Sequence, residues 1–141
     1  MAKFAYERDI RIGPVVFDAE GLSMAIRKDE YIQDVINEVI IQKTQVVISA
    51  ATIVEVMSDN LNSAAFNWTI SRFRVVPVTK KLAVRAAGLL REARKAGHDW
   101  ALDAMVAATA LELEGRPTVY TSDPDDMRIL LGRNARIVPL T

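Results

Sequence analysis

Five short apolar runs, separated by segments with helical patterning, constrain this chain most. They are Pro14-Val-Val-Phe-Asp18, Gln45-Val-Val-Ile-Ser49, Phe73-Arg-Val-Val-Pro-Val78, Pro117-Thr-Val-Tyr-Thr121 and Arg136-Ile-Val-Pro-Leu140. These runs are mostly continuous rather than alternating, as expected of strands covered on both faces. Between them, residues 29–43 place Ile32, Val35, Ile36, Val39 and Ile40 on one stripe of a helix. Residues 80–96 are rich in Ala, Leu, Arg and Lys and are expected to stop at Gly97; residues 99–114 are expected to stop at Gly115. Shorter helices are predicted over 21–27, 50–58, 62–71 and 125–131. Regular strand–helix alternation predicts a three-layer α/β/α fold with a mostly parallel central sheet. Pro77 places the third strand at an edge of that sheet, or has it nearly finished there. Residues 1–13 have no place in the pattern and read as an N-terminal extension; residues 14–141 read as a single domain.

The chain has 141 residues and no cysteine, which excludes a disulfide scaffold, a thiolate zinc site and a thiol nucleophile. A chain of this length can bury roughly two-thirds of its unfolded surface without such staples. No apolar stretch approaches the ~18 residues of a membrane span. The first 13 residues carry Lys3, Glu7, Arg8, Asp9 and Arg11 rather than the apolar centre of a signal peptide. A soluble cytoplasmic protein is the expectation.

In an open parallel sheet, ligands bind beyond the carboxyl ends of the strands. Asp18 ends the first strand, Glu55 lies about a turn and a half past the second, and Asp123 follows the fourth, with Asp125 and Asp126 behind it. Asp103 interrupts an otherwise apolar helix, and Asp99 lies four residues earlier on the same face. Each acid except Asp103 and Asp18 has an ordinary structural role open to it. Thr52-x-x-Glu55 fits a capping box, Asp123-Pro124-Asp125-Asp126 fits a helix start, and Asp99 could cap its helix. An acid among Ala, Met, Val and Leu is seldom buried unless paired or metal-bound. Converging carboxylates raise one another's pKa or take up a cation. Hard oxygen donors without His or Cys select Mg²⁺ or Mn²⁺, whose natural chemistry is phosphodiester hydrolysis.

Taken together, Val-Val-Phe-Asp18, Val-Ile-Ser-Ala-Ala-Thr-Ile-Val-Glu55-Val, Leu-Asp103-Ala-Met-Val-Ala-Ala-Thr-Ala and Val-Tyr-Thr-Ser-Asp123-x-x-Asp126 resemble the PIN domain. Within that family they look most like the VapC-type toxins of bacterial toxin–antitoxin systems. The resemblance implies a Mg²⁺- or Mn²⁺-dependent endoribonuclease that forms a homodimer and is inhibited by a small antitoxin. It maps the catalytic acids onto Asp18, Glu55, Asp103 and Asp123. The metal would be held by Asp18, Asp103, Asp123 and Asp126, with Thr121 shaping the site. Where the family often has a small hydroxyl or amide, this chain has Glu20, which either adds a carboxylate to the metal shell or faces solvent. Asp99 is a further candidate for the outer shell.

The charge balance, 18 Lys+Arg against 18 Asp+Glu, conceals segregation. Residues 72–95 hold eight cations against Glu92 alone, and residues 99–126 hold seven acids against Arg116 alone. Arg72, Arg74, Lys80 and Lys81 are therefore candidates for binding the RNA backbone, or else they belong to a solvated helix face. Two rivals stand beside the nuclease. A PIN-like module could bind RNA or protein without cutting. A phosphoacceptor receiver domain also has a Mg²⁺-binding acidic pocket, but it needs an acid pair at the first strand end and a Lys after its last strand, and this chain lacks the latter.

Overall fold

The computed structural model describes residues 12–140; residues 1–11, most of the expected N-terminal extension, and Thr141 lie outside the described residues. Five strands form one parallel sheet: β1 (Val15–Phe17), β2 (Val46–Ser49), β3 (Arg74–Val76), β4 (Thr118–Thr121) and β5 (Arg136–Pro139). Their order across the sheet is β3-β2-β1-β4-β5. β3 is thus an edge strand, and Pro77, just past its end, interrupts no ladder. A receiver domain has the order 2-1-3-4-5, so the topology removes that rival.

Among the described residues seven α-helices connect the strands: α1 (Ala19–Ile26), α2 (Glu30–Ile41), α3 (Ala50–Glu55), α4 (Ser63–Ser71), α5 (Lys80–Ala93), α6 (Gly97–Leu111) and α7 (Pro124–Leu131). The period-2 geometry of strands explains why their runs are continuously apolar. Val15, Phe17, Val46, Ile48 and Tyr120 point to one face, where Leu22, Ile32 and Val35 of α1 and α2 cover them. Val16, Val47, Val76 and Val119 point to the other, under Leu82, Ala86, Ala107 and Met127 of α5, α6 and α7. Each face therefore has its own core, and the three layers follow.

Local chemistry sets several boundaries differently from expectation. On α2 the apolar stripe ends at Val39; Ile40 is 61% exposed. α3 is capped by Ser49, whose hydroxyl accepts from the Ala51 N–H at 3.2 Å, so Thr52 and Glu55 form no capping box. α5 ends not at Gly97 but at Arg94, which takes the left-handed conformation usual for a C-terminal glycine (φ 58°, ψ 45°). Gly97 instead opens α6. Asp99 sits in the first turn of α6, whose cap position is Ala96, so it does not cap the helix.

Candidate functional site

The strand order reverses direction between β1 and β4, and a crevice opens outside their carboxyl ends at such a point. Asp18 follows β1 there, and Asp123 follows β4 two residues past its end. Asp18 is only 6% exposed and its carboxylate is held from both sides. Oδ1 accepts from the Gly21 N–H (2.9 Å), capping α1; Oδ2 accepts from the Ser122 N–H (2.8 Å) and the Ser122 Oγ (3.3 Å). Gly21 makes this close start of α1 possible, because a Cβ there would come within 2.9 Å of the Phe17 Cβ. Ser122 and Gly21 were not singled out in the sequence. A hydroxyl residue directly before the strand-end acid Asp123 was the available signal for the first.

Thr121 is fully buried, and its Oγ1 accepts from the Asp123 N–H at 2.9 Å. This local turn fixes where Asp123 leaves the strand. Asp123 stands at the cap position of α7 but makes no side-chain cap hydrogen bond. Its carboxylate is therefore not spent on the helix start. Asp125 is committed elsewhere, to Arg128 at 3.2 Å on the surface.

Electrostatics connect the acids. Asp103, half-buried on α6, has its pKa raised to about 6, first by desolvation and then by Asp123, Asp126, Glu55 and Asp18. Glu55, at the end of α3, is raised by desolvation and then by Asp18 and Asp123. Five carboxylates from four segments thus share one field, and among the described residues no cation is one of the groups acting on Asp103 or Glu55. Asp99 is exposed and is not among the charges acting on Asp103. Glu20 pairs with Arg27 at 3.1 Å, on the exposed side of α1. Among the described residues no group of three or more His, Cys, Asp or Glu is arranged to hold a metal ion. The carboxylates are therefore coupled through space but not drawn into ligand geometry. The donor chemistry still fits a hard divalent cation: all the donors are oxygen, and the raised pKa values of Asp103 and Glu55 express a need for positive charge that no side chain among the described residues meets.

The basic candidates lie elsewhere. Arg74 begins β3, and with Pro14 and Gln45, the residues preceding β1 and β2, it lines a cleft at the amino edge of the sheet. Arg72 lies just before it, 4.9 Å over the Trp68 ring. Lys81, directly after Lys80, lines a cleft with Arg85, Leu111 and Glu112, at the end of α6 that leads to the amino edge. Arg72, Arg74 and Lys81 therefore sit away from the carboxylates. A count along the chain could not show this, because a helix carries its two ends to opposite sides of the sheet.

No family model matches the chain, and no curated protein sequence matches it. Solved structures do. The chain is similar to VapBC2 from Rickettsia felis bound to a DNA fragment from its promoter, with 16% identity over 91% of this chain and 99% of that one and a TM-score of 0.63. It is similar to FitAB bound to an IR36 DNA fragment, at 19% identity over 89% and 94%, with a TM-score of 0.63. It is similar to FitAcB from Neisseria gonorrhoeae, at 22% identity over 87% and 95%, with a TM-score of 0.61. At these identities what is shared is the fold, a PIN-like one, over nearly the whole of each chain.

Proposed function

We propose that this PIN-like chain is a divalent-metal-dependent endoribonuclease and the toxin of a toxin–antitoxin pair. The observation that carries this is the coupled field of Asp18, Glu55, Asp103, Asp123 and Asp126 at the switch point, with no cation among the described residues acting on Asp103 or Glu55. Asp18, Asp103, Asp123 and Asp126 would hold Mg²⁺ or Mn²⁺. Such an ion lowers the pKa of a water and offsets charge building on the scissile phosphate. The chain's own residues supply the rest. Ser122 and Gly21 hold the Asp18 carboxylate in one orientation, by one oxygen each. Thr121 fixes the backbone from which Asp123 projects. Glu55, outside the four proposed ligands and with its pKa raised by burial and then by Asp18 and Asp123, stands to orient the water or complete the shell. No histidine serves as base, since His98 is exposed and is the only one in the chain.

An antitoxin partner is supported by the complexes whose fold this chain shares. A homodimer is part of the same proposal. No helix among the described residues is long and apolar enough to cross a membrane.

The test is cleavage of a mixed RNA pool with Mn²⁺ or Mg²⁺. Cleavage is expected to cease in EDTA and to fall by about 10³-fold or more in Asp18→Ala and Asp103→Asn, the scale of losing a metal's several kcal/mol. Equal cleavage in EDTA sinks the metal-dependent reading. The absence of a preformed ligand group favours one second reading, a PIN-like module that binds without cutting. Metal binding seen by calorimetry with no cleavage of any RNA would establish it instead.

A further inference from the structure

The helical hairpin of α5 and α6 carries most of the chain's positive segment, and its geometry separates the cations at its two ends. The Arg85 Nη1 donates to the Leu111 carbonyl at 3.3 Å, so the beginning of α5 lies beside the end of α6. Leu113 and Glu114, just past that end, share a cleft with Pro14, Gln45 and Arg74 at the amino edge. The turn between the two helices therefore lies at the opposite end, roughly 20 Å away for 14 residues of helix. Asp103 lies near the middle of α6, eight residues or about 12 Å of helix rise beyond Lys95. In this turn the Lys95 Nζ lies 5.0 Å from the Trp100 ring centroid. Trp100 is half-buried against the core and stands three residues before Asp103, one turn along the same side of the helix. The backbone fixes the turn as well: the Lys95 N–H donates to the Leu90 carbonyl at 2.9 Å and the Arg94 N–H to the Arg91 carbonyl at 3.2 Å. Arg91, Arg94 and Lys95 are all exposed and outnumber Glu92 and Asp99 there.

We propose that Arg94 and Lys95 form a phosphate clamp for single-stranded RNA, holding the strand beside the scissile phosphate at the carboxylates. This rests on the nuclease reading above. A carboxylate cluster repels a polyanion, so the strand needs fixed positive charge next to the site. Arg72 and Arg74 lie at the amino edge, whereas Arg94 and Lys95 lie at the opposite end of the hairpin. Trp100 acts by pinning the Lys95 ammonium, since one face of its ring is already covered.

The experiment measures the affinity of a labelled single-stranded RNA oligonucleotide against salt concentration, in an Asp103→Asn background that does not cut. Each phosphate contact contributes about 0.7 to the slope of log affinity against log salt. Arg94→Ala and Lys95→Ala are each expected to lower the slope by about that amount and to weaken binding roughly 5-fold to 10-fold at moderate salt. Lys95→Arg is expected to restore it, and the Arg72→Ala, Arg74→Ala pair to leave it unchanged. Both substituted turn residues are exposed, and an unaltered Tm verifies that the variants fold. An unchanged slope in the Arg94→Ala, Lys95→Ala double variant overturns the clamp. So does a polyglutamate peptide that competes with the RNA through Lys95 more tightly than the RNA binds, which would make the turn a protein-docking surface. The two proposals separate cleanly. RNA cut by the otherwise unaltered chain with an unchanged slope refutes the clamp alone. RNA bound with the expected slope but never cut by that chain refutes the nuclease alone.

Discussion

The two edges of the sheet are built from the same strands and do opposite things. At the carboxyl edge, Asp18 and Asp123 leave β1 and β4, and Glu55 and Asp103 are held half in solvent with raised pKa values. At the amino edge lies a groove of about 370 Å³ lined by apolar residues such as Ile36, Val39 and Phe73, with Trp68 on its rim. There Arg72 and Lys28 lie over the Trp68 ring, at 4.9 and 5.8 Å, and Arg74 faces the starts of the strands. The carboxyl edge thus holds an unbalanced charge in a polar crevice; the amino edge holds charges that aromatic surface already accommodates. The difference teaches that location relative to strand direction separates the two, where abundance of charge does not. The chain's most basic segment begins at the amino edge, where Arg74 shares a cleft with Glu112 and Glu114, and ends at the other.

The sharpest way to break this comparison is to add Mn²⁺ and follow thermal unfolding. An ion that binds only the folded carboxyl edge stabilises it by about 2.7 kcal/mol at one hundred times its Kd, roughly a 10 °C rise in Tm for a domain of this size. Asp18→Asn and Asp103→Asn are expected to lose most of that rise, and Arg74→Ala to keep all of it. A full rise in Asp103→Asn would place the ion elsewhere and dissolve the distinction between the edges.

The strands, the three layers and the edge position of β3 were legible because continuous apolar runs between helical stripes have few other solutions. Asp103 was legible for the same physical reason in reverse, as a charge where apolar residues belong. The capping of α3 was not, because Ser49 and Thr52 are both good capping residues and only the strand end decides which one is used. The end of α5 was missed because Arg94 adopts a conformation that a sequence reader assigns to glycine. The placement of the cations was missed for a deeper reason. Summing charge over residues 72–95 discards the length of α5, which separates Lys81 from Lys95 by most of a helix. Ser122 was invisible as a contact because its partner, Asp18, is 104 residues away.

A finer distinction between the edges comes from pH. Below about 3.8, the ordinary carboxyl value, Asp103 is protonated whether the chain is folded or not; above about 6 it is ionised in both. Between these the folded chain keeps the proton that the unfolded chain has lost. Its destabilising effect therefore builds as pH rises through this window and is complete at pH 7. The side chain is about half in solvent, and screening reduces the effect to about 1 kcal/mol. Urea unfolding of Asp103→Asn is expected to show that gain over the parent chain at pH 7 and almost none at pH 4. Asp125→Asn, which touches only the exposed pair with Arg128, is expected to stay within about 0.5 kcal/mol at both. A variant at Asp103 that is less stable at pH 7 would show that its charge is already balanced.

The smallest effect concerns Thr52, which is fully buried in α3 with no hydrogen-bond partner for its Oγ1 among the described residues. It lies three residues before Glu55, on the same side of the helix. An unpartnered buried hydroxyl is costly, and valine has nearly the same shape and the same β-branch. Thr52→Val is therefore expected to stabilise the chain by about 0.5–1 kcal/mol, read from urea unfolding without Mn²⁺. Its Mn²⁺-induced rise in Tm distinguishes two kinds of polar group at the carboxyl edge. If the rise is intact, the unmet need of that edge belongs to the carboxylates alone and Thr52 is a local packing fault. If the rise shrinks, the hydroxyl finds its partner only when the acids close on the ion, and the site reaches one turn deeper into α3 than Glu55.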